Sequence, residues 1–299
     1  MTTKANTRIW IASLLLVAAF TAETGCSQPP VNPKQVPAND HKRSQNLTAQ
    51  ATKLIDAKKT TPMTTLTKQL KRTKCDITLP KPSSKPLTRP EIYRKNVPGV
   101  LILSGVYKCK KCVKWHTTAA SGFAVTASGV IATNYHLFAN KNSTTLIATT
   151  HDGKTYPVKE VLAANQADDV VLLQLDTRGD KFTPMPISPN TPVGSDVTII
   201  SHPNHRFYTL SQGVVSRYSL RRNKQGKTSH TMETTADFAK GSSGAPVFDS
   251  AGNVAAMVAS TSSVYYTQTK DTQKNLQMVF KQCVPATSIL NLINRPTKK

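Results

Sequence analysis

SGFAVTASGVIATNYH, Ser121 to His136, sets two short runs of apolar, small and β-branched residues on either side of a Ser128-Gly129 step. Val, Ile, Thr and Phe in such runs favour extended backbone, and Ser-Gly favours a tight turn. The stretch reads as a β-hairpin whose second strand delivers His136 at its end. The same texture extends in both directions. GVLILSGVYKC precedes it. STTLIATT, TYPVKEVLAA, DVVLLQLD, DVTIISHP, GVVSRYSL, TSHTMETTA, GAPVFDS and GNVAAMVAS follow, separated by turn signals such as DG and SAGN. Many short strands at close spacing predict an all-β sandwich or a pair of barrels. Helix is expected only over Thr88–Lys95 and in the tail Pro285–Asn294. At the first, Thr88 and Glu91 have capping-box spacing and Pro90 suits a first turn.

The N-terminal third has a different character. In residues 1–25, Lys4 and Arg8 precede an apolar run from Ile9 to Phe20. That run is short for a membrane span and suits the core of a secretory signal. Gly25-Cys26-Ser27 resembles the processing box of bacterial lipoproteins, which implies that Cys26 becomes a lipidated first residue. The expectation is an exported envelope protein, membrane-anchored and facing the periplasm or cell surface. Residues 26–87 are rich in Pro, Thr, Lys, Gln and Ser, and LPKPSSKP (Leu79–Pro86) reads as an extended connector. Leu47, Ala51, Leu54 and Ile55 line one short helical face, with nothing beside it in sequence to build a core. The segment therefore reads as a polar, mostly disordered tether to a domain over 88–295.

The formal net charge is +23. Such a charge favours nucleic acid, anionic lipid or acidic wall polymers. The basic residues are spread along the chain, however, with no zinc-finger signature, no RNA-binding aromatic motif and no dense basic block. Nucleic acid is not expected as a partner, and adhesion to anionic envelope polymers stands as a rival role. Of five cysteines, four remain if Cys26 is lipidated, an even number in an oxidising compartment. Cys109-Lys-Lys-Cys112 with His116 nearby offers three metal ligands, whereas a structural zinc site takes four. Disulfides Cys109–Cys112 and Cys75–Cys283 are the simpler reading, with no metal and no cofactor.

Three places carry potential chemistry. His136 ends a strand. Asp168 and Asp169 stand at the mouth of the apolar run VVLLQL. KGSSGAPVF, Lys240 to Phe248, is a glycine-rich turn with Ser242 and Ser243 at its apex. Each alone is ordinary turn chemistry. Together, His, Asp and Ser recur in that order, each at the rim of a strand, where rigid elements hold catalytic groups.

At this point the blocks resemble a known family, the trypsin-like serine peptidases in their HtrA (Deg) branch. SGFAVTASGVIATNYH resembles G-S-G-F…G-x-I-x-T-N-x-H, and ADDVVLLQL resembles D-x-A-x-L-x-L. SHPNHRFYTLSQGVVS resembles G-x-P…T-x-G-x-V-S, with Ser201 for the first glycine. KGSSGAPVF resembles G-N-S-G-G-P, with Ser242 for Asn and Ala245 for Gly. LQMVFKQCVPATSILNLI resembles the closing strand-Pro-helix segment. The resemblance implies two six-stranded antiparallel β-barrels with a short C-terminal helix, and a serine endopeptidase acting on protein or peptide substrates; in a departure from most of the branch, no PDZ domain is expected to follow. The resemblance implies His136 as base, Asp169 rather than Asp168 as its partner, and Ser243 rather than Ser242 as nucleophile. The amides of Gly241 and Ser243 would form the oxyanion hole. Asp237, six residues before Ser243, would floor a pocket for Lys or Arg, and MVASTSS, with Ser260, would pair with bound peptide. With Ser242 before the nucleophile, zymogen activation by a new N-terminus is not expected. A catalytically silent peptide-binding scaffold of the same fold is the alternative.

Overall fold

The computed structural model describes residues 37–294, apart from 110, 141, 223–225 and 227. The signal-like residues 1–25 and Cys26 lie outside the described residues. No helix among the described residues is long and apolar enough to cross a membrane.

The β-rich body forms two barrels. The first contains β1 (Val100–Lys108), β2 (Trp115–Thr117), β3 (Ala120–Ala124), β4 (Val130–Thr133), β5 (Thr145–Thr149), β6 (Thr155–Asn165) and β7 (Val170–Leu175). The order β1-β3-β4-β7-β6-β5 closes through β1–β5 pairing, and β2 hangs on the end of β1. The second is a closed ring of β8 (Asp196–Ser201), β9 (Thr209–Arg222), β10 (Thr228–Thr234), β11 (Pro246–Phe248), β12 (Val254–Gln268) and β13 (Gln273–Pro285), in the order β10-β13-β12-β11-β8-β9. All these pairings are antiparallel, and together they make the pair of six-stranded barrels expected from the sequence. The opening hairpin is β3–β4, with Phe123 opposite Ala132. Pro285 ends β13 and caps the short helix α4 (Ala286–Leu290).

Every residue of β1 from Val100 to Val106 is buried, and so is Val170–Leu173 of β7. Successive strand residues point to opposite faces, so both faces of these strands are covered. Val100 and Ile102 join one apolar cluster, and Leu101 and Leu103 join another. Something outside the sheet must supply the second cover.

Much of that cover comes from the segment expected to be a tether, which is the main correction to the sequence reading. Residues 40–69 form α1 (Asp40–Asp56) and α2 (Met63–Gln69). Asn39 caps α1 by accepting the Lys42 amide at 2.9 Å. Leu47, Ala51 and Leu54 pack into the first cluster, and Met63 and Leu66 into the second. The chain then runs past Cys75, which exchanges backbone hydrogen bonds with Leu292 and Asn294, to Leu87, whose amide donates to Ser250. The helix α3 (Arg89–Asn96) follows, with the Thr88 amide and hydroxyl both donating to the Glu91 carboxylate. A polar composition hid this arm because it owns no core. It completes the core of others.

The expected disulfides are also corrected. Cys75, Cys109, Cys112 and Cys283 are free thiols. Cys75 lies beside Ile293, whereas Cys283 pairs with Met232 and Val258 inside the second barrel, where burial pushes its thiol pKa up.

Candidate active site

The first barrel contributes a preassembled pair. β4 ends at Thr133, and a single 3-10 turn, Tyr135–Ala139, carries His136 to the rim. Asp169 stands just before β7, the sheet neighbour of β4. Its carboxylate accepts two hydrogen bonds from one residue: His136 Nδ1 reaches Oδ2 at 2.8 Å, and the His136 backbone amide donates to Oδ1 at 2.8 Å. The left-handed backbone of Asp169 (φ 56°) turns the carboxylate back over β4, in a region that Asp tolerates better than most residues. Buried Asn134 donates from Nδ2 to the Asp169 carbonyl at 3.1 Å and braces that turn. Asp168 points elsewhere: it accepts from Asn165 Nδ2 at 2.9 Å, and burial pushes its carboxyl pKa up. The structure therefore brings Asp169, not Asp168, to His136.

The second barrel contributes the loop between Ala239 and Ala245. Gly241 (φ 100°) and Gly244 (φ 87°) occupy backbone regions that favour glycine. A Cβ at Gly241 would collide with the His202 carbonyl, and one at Gly244 with the Ser121 carbonyl. Ser121 of β3 ties this loop to the other barrel: its amide donates to the Ser243 carbonyl at 2.8 Å and its hydroxyl to the Gly241 carbonyl at 3.1 Å. The Asn204 amide donates to the Lys240 carbonyl at 2.6 Å. In a planar trans peptide the N–H points opposite to the C=O, so this bond turns the Gly241 N–H away from Asn204. The Gly241 and Ser243 amides donate to no acceptor among the described residues.

Ser243 and its neighbour separate clearly. Ser242 is buried and donates to Ser201 Oγ at 3.0 Å. These are two of the three positions, with Ala245, that depart from the family blocks, and here they satisfy one another. Ser243 Oγ donates to the Ala259 carbonyl at 3.3 Å. No hydrogen bond joins it to His136 among the described residues. Ala259 sits at an irregularity of the β12–β13 ladder, between the pairs Val258–Cys283 and Ser260–Gln282. An open cleft of about 500 Å³ is lined by His136, Asp169, Arg221, His230, Ala259 and Ser260 among others. Ser260 donates to Gln282 Oε1 at 3.0 Å.

Asp237 is corrected. Its side chain is 89% exposed and pairs with Lys281 Nζ at 3.0 Å, so it floors no pocket and its charge is matched. The offset from Ser243 misled because position within a loop says nothing about which way the loop faces.

Sequence reasoning missed the supports: Asn134, Ser121, His202 and Asn204. His202 is fully buried, its Nδ1 accepting the Tyr208 amide at 3.0 Å, and desolvation lowers its pKa to about 3. Asp40 of α1 accepts the Phe207 amide at 3.1 Å, and Arg43 lies 5.0 Å over the Tyr208 ring. The N-terminal arm thus reaches the loop that carries Asn204. The only signal in the sequence was an unusual density of polar residues around SHPNH.

Residues 120–257 match the trypsin-like peptidase domain family. Protease Do-like 1, chloroplastic, from Arabidopsis thaliana is 32% identical over 143 residues, which is 46% of this chain and 31% of that protein. An anti-sigma-I factor from Acetivibrio thermocellus is 29% identical over 187 residues, 60% of this chain and 24% of that one. HhoA of Synechocystis sp., a protein named as a serine protease, is 25% identical over 139 residues, 45% and 34% of the two chains. The chain spans about a quarter to a third of the length of these relatives. From β3 into β12 the chain carries a region similar in sequence to the trypsin-like peptidase domain and to the Do-like and HhoA proteases, within a pair of barrels of the matching architecture.

Proposed function

We propose that the protein is a serine endopeptidase using His136, Asp169 and Ser243, with the amides of Gly241 and Ser243 as oxyanion hole. One observation carries the reading: Asp169 grips His136 by ring and backbone at the rim of the first barrel, and the second barrel holds a serine loop with two amides uncommitted among the described residues. Ser243 Oγ attacks the scissile carbonyl while His136 Nε2 takes its proton. The carbonyl oxygen becomes an oxyanion between the two N–H groups, where one such donor is typically worth about a hundred- to a thousandfold in turnover. Collapse expels the amine, which takes the proton from His136 and leaves an acyl-Ser243. Water, deprotonated by His136, then releases the acid and restores the serine. Asp169 holds the imidazole tautomer and its charged form throughout.

The Ala259 carbonyl has a part in this cycle. Beyond Val258, whose amide and carbonyl bond Ala245 and Gly244, β12 pairs with β13 alone among the described residues, which leaves its other edge open to an extended peptide. A substrate N–H that takes the Ala259 carbonyl displaces the Ser243 hydroxyl from it. The hydroxyl then swings to His136, so substrate binding completes the triad. Export and membrane attachment through Cys26 belong to the same proposal, supported by the apolar run Ile9–Phe20 and by Gly25-Cys26-Ser27. The ordered domain is taken as 88–295, with the arm from Ala38 packed on it.

The test is labelling by a fluorophosphonate probe together with cleavage of a peptide library. Labelling at Ser243, lost in Ser243→Ala and in His136→Ala, is expected. Peptide binding without labelling or cleavage, unchanged by Ser243→Ala, would replace this reading with the silent scaffold. Salt-sensitive binding to anionic polymers as the sole activity would favour adhesion.

A further inference from the structure

The β1–β2 hairpin carries a cluster that peptide hydrolysis does not use. β1 ends at Lys108 and β2 begins at Trp115, and Cys109 and Cys112 lie between them. The stem is in register, with Tyr107 opposite His116 and Lys108 opposite Trp115. The Tyr107 and His116 rings lie 5.5 Å apart, and Lys108 Nζ sits 4.7 Å from the Trp115 ring centre. Strand pairing and ring contact thereby hold the imidazole against the turn. The turn brings two thiols to it: Cys112 Sγ lies 3.0 Å from His116 Nε2 and 3.2 Å from Cys109 Sγ. All three donor atoms fall within 4.8 Å of one another, and the thiols are not joined to each other.

The spacing suits one small ion. With metal–sulfur and metal–nitrogen bonds of about 2.3 and 2.0 Å, neighbouring ligands on a tetrahedron stand roughly 3.5 Å apart. The donor set suits one chemical class. Two sulfurs and an imidazole select a thiophilic d10 cation, and no carboxylate belongs to the cluster to favour a hard ion. A closed structural zinc site takes four protein ligands. An open site takes three and keeps a position for water or another ligand. Cys112 is exposed, which leaves such a position at the surface.

We propose that Cys109, Cys112 and His116 bind one thiophilic d10 cation, Zn²⁺ or Cu⁺, in an open site at the tip of the β1–β2 hairpin. The same thiols then act as ligands rather than as a disulfide. The test uses the full chain, reduced, stripped with a chelator and desalted without oxygen. It is titrated with Zn²⁺ against a chromophoric zinc chelator, and separately with Cu⁺ against a copper(I) chelator; the tighter, stoichiometric arm names the ion. One ion per chain is expected. Cys109→Ser and Cys112→Ser should each weaken binding by more than the roughly 10- to 100-fold seen when only an outer support of a ligand is removed. His116→Ala should weaken it by about tenfold or more. Co²⁺ should give a thiolate charge-transfer band that needs both cysteines. Should a variant misfold, the wild type still decides: the ion should shield Cys109 and Cys112 from alkylation and leave Cys75 and Cys283 unchanged. Failure to bind either ion at one per chain with micromolar affinity overturns the proposal. So does binding that survives both serine variants, or a Cys109–Cys112 disulfide that persists when the ion is supplied during expression.

Discussion

The two barrels bring different kinds of order to the cleft. The first supplies a pair held almost entirely by its own neighbours: His136 follows β4, Asp169 precedes β7, these strands are paired, and Asn134 ties the two turns together. The second supplies a loop positioned by residues far away in the chain. Ser121 from the first barrel, Ser201 from β8 and Asn204 after it all hold the Gly241–Ser243 turn. The His136–Asp169 half is local, and the Ser243 half is a product of assembly. Contacts between distant residues form only once the rest of the fold has ordered them. Damage far from Ser243 should therefore reach the nucleophile loop more readily than it reaches the histidine.

The sharpest break in this contrast is Asp169→Asn. It should leave the fold intact and lower turnover by about 10⁴-fold, since the imidazole loses its tautomer and its counter-charge. Steady-state hydrolysis and a thermal melt separate the two effects, and a variant within tenfold of wild type would remove Asp169 from the mechanism. Next in size is Leu66→Ala in α2. Leu66 is fully buried against the first barrel, so urea unfolding should show a loss of about 2–5 kcal/mol. A loss below about 0.5 kcal/mol, ordinary for a surface site, would return this segment to a tether.

The third prediction concerns acid. His202 is buried and neutral, with a pKa lowered to about 3, while an unfolded histidine titrates near 6.5. Between those values the unfolded chain binds the extra proton. This contribution is thus complete above about pH 6.5 and fades as pH falls, by roughly 1.4 kcal/mol per unit within the window. Melts of the wild type and of His202→Asn across pH 7 to 4 should converge on the acid side. Parallel curves would show that His202 does not set the acid limb.

Two smaller effects probe the nucleophile loop directly. Ser121→Ala frees the Gly241 carbonyl and should lower kcat/KM by about 10- to 100-fold, the cost of a small misplacement of reacting groups. Its probe-labelling rate should fall in parallel, while His136 and Asp169 keep their hydrogen bonds. The smallest is the Ser201–Ser242 hydroxyl bond. A double-mutant cycle with Ser201→Ala and Ser242→Ala should return a coupling of about 1 kcal/mol. Zero coupling would make the two serines independent substitutions.

What could be read from residues alone follows this same division. Strand alternation, turn chemistry and the family blocks pointed to the barrels and singled out His136 and Ser243 as candidates, because each depends on a few adjacent residues. The choice of Asp169 came from its place directly before β7, another local feature. Asp237 failed because the direction of its loop depends on Lys281, more than forty residues away. The arm failed because Leu47, Ala51, Leu54 and Leu66 have no apolar partners nearby in sequence. Their partners are strands buried on both faces, and the unbroken runs VLIL and VVLL were the available sign that a cover was needed.

The sequence by itself determined the strand pattern and the double-barrel class and named the candidate groups, since period-two patterning and short turns act over a few residues. Only the tertiary structure decided where the Gly241 amide points, how Ser121 and Asn204 hold the Ser243 loop, and that two thiols and an imidazole converge on one hairpin. The physical reason is range. Local sterics and hydrophobic period are written in neighbouring residues, whereas the direction of a hydrogen bond or a side chain is settled by partners that only folding brings within a few ångströms.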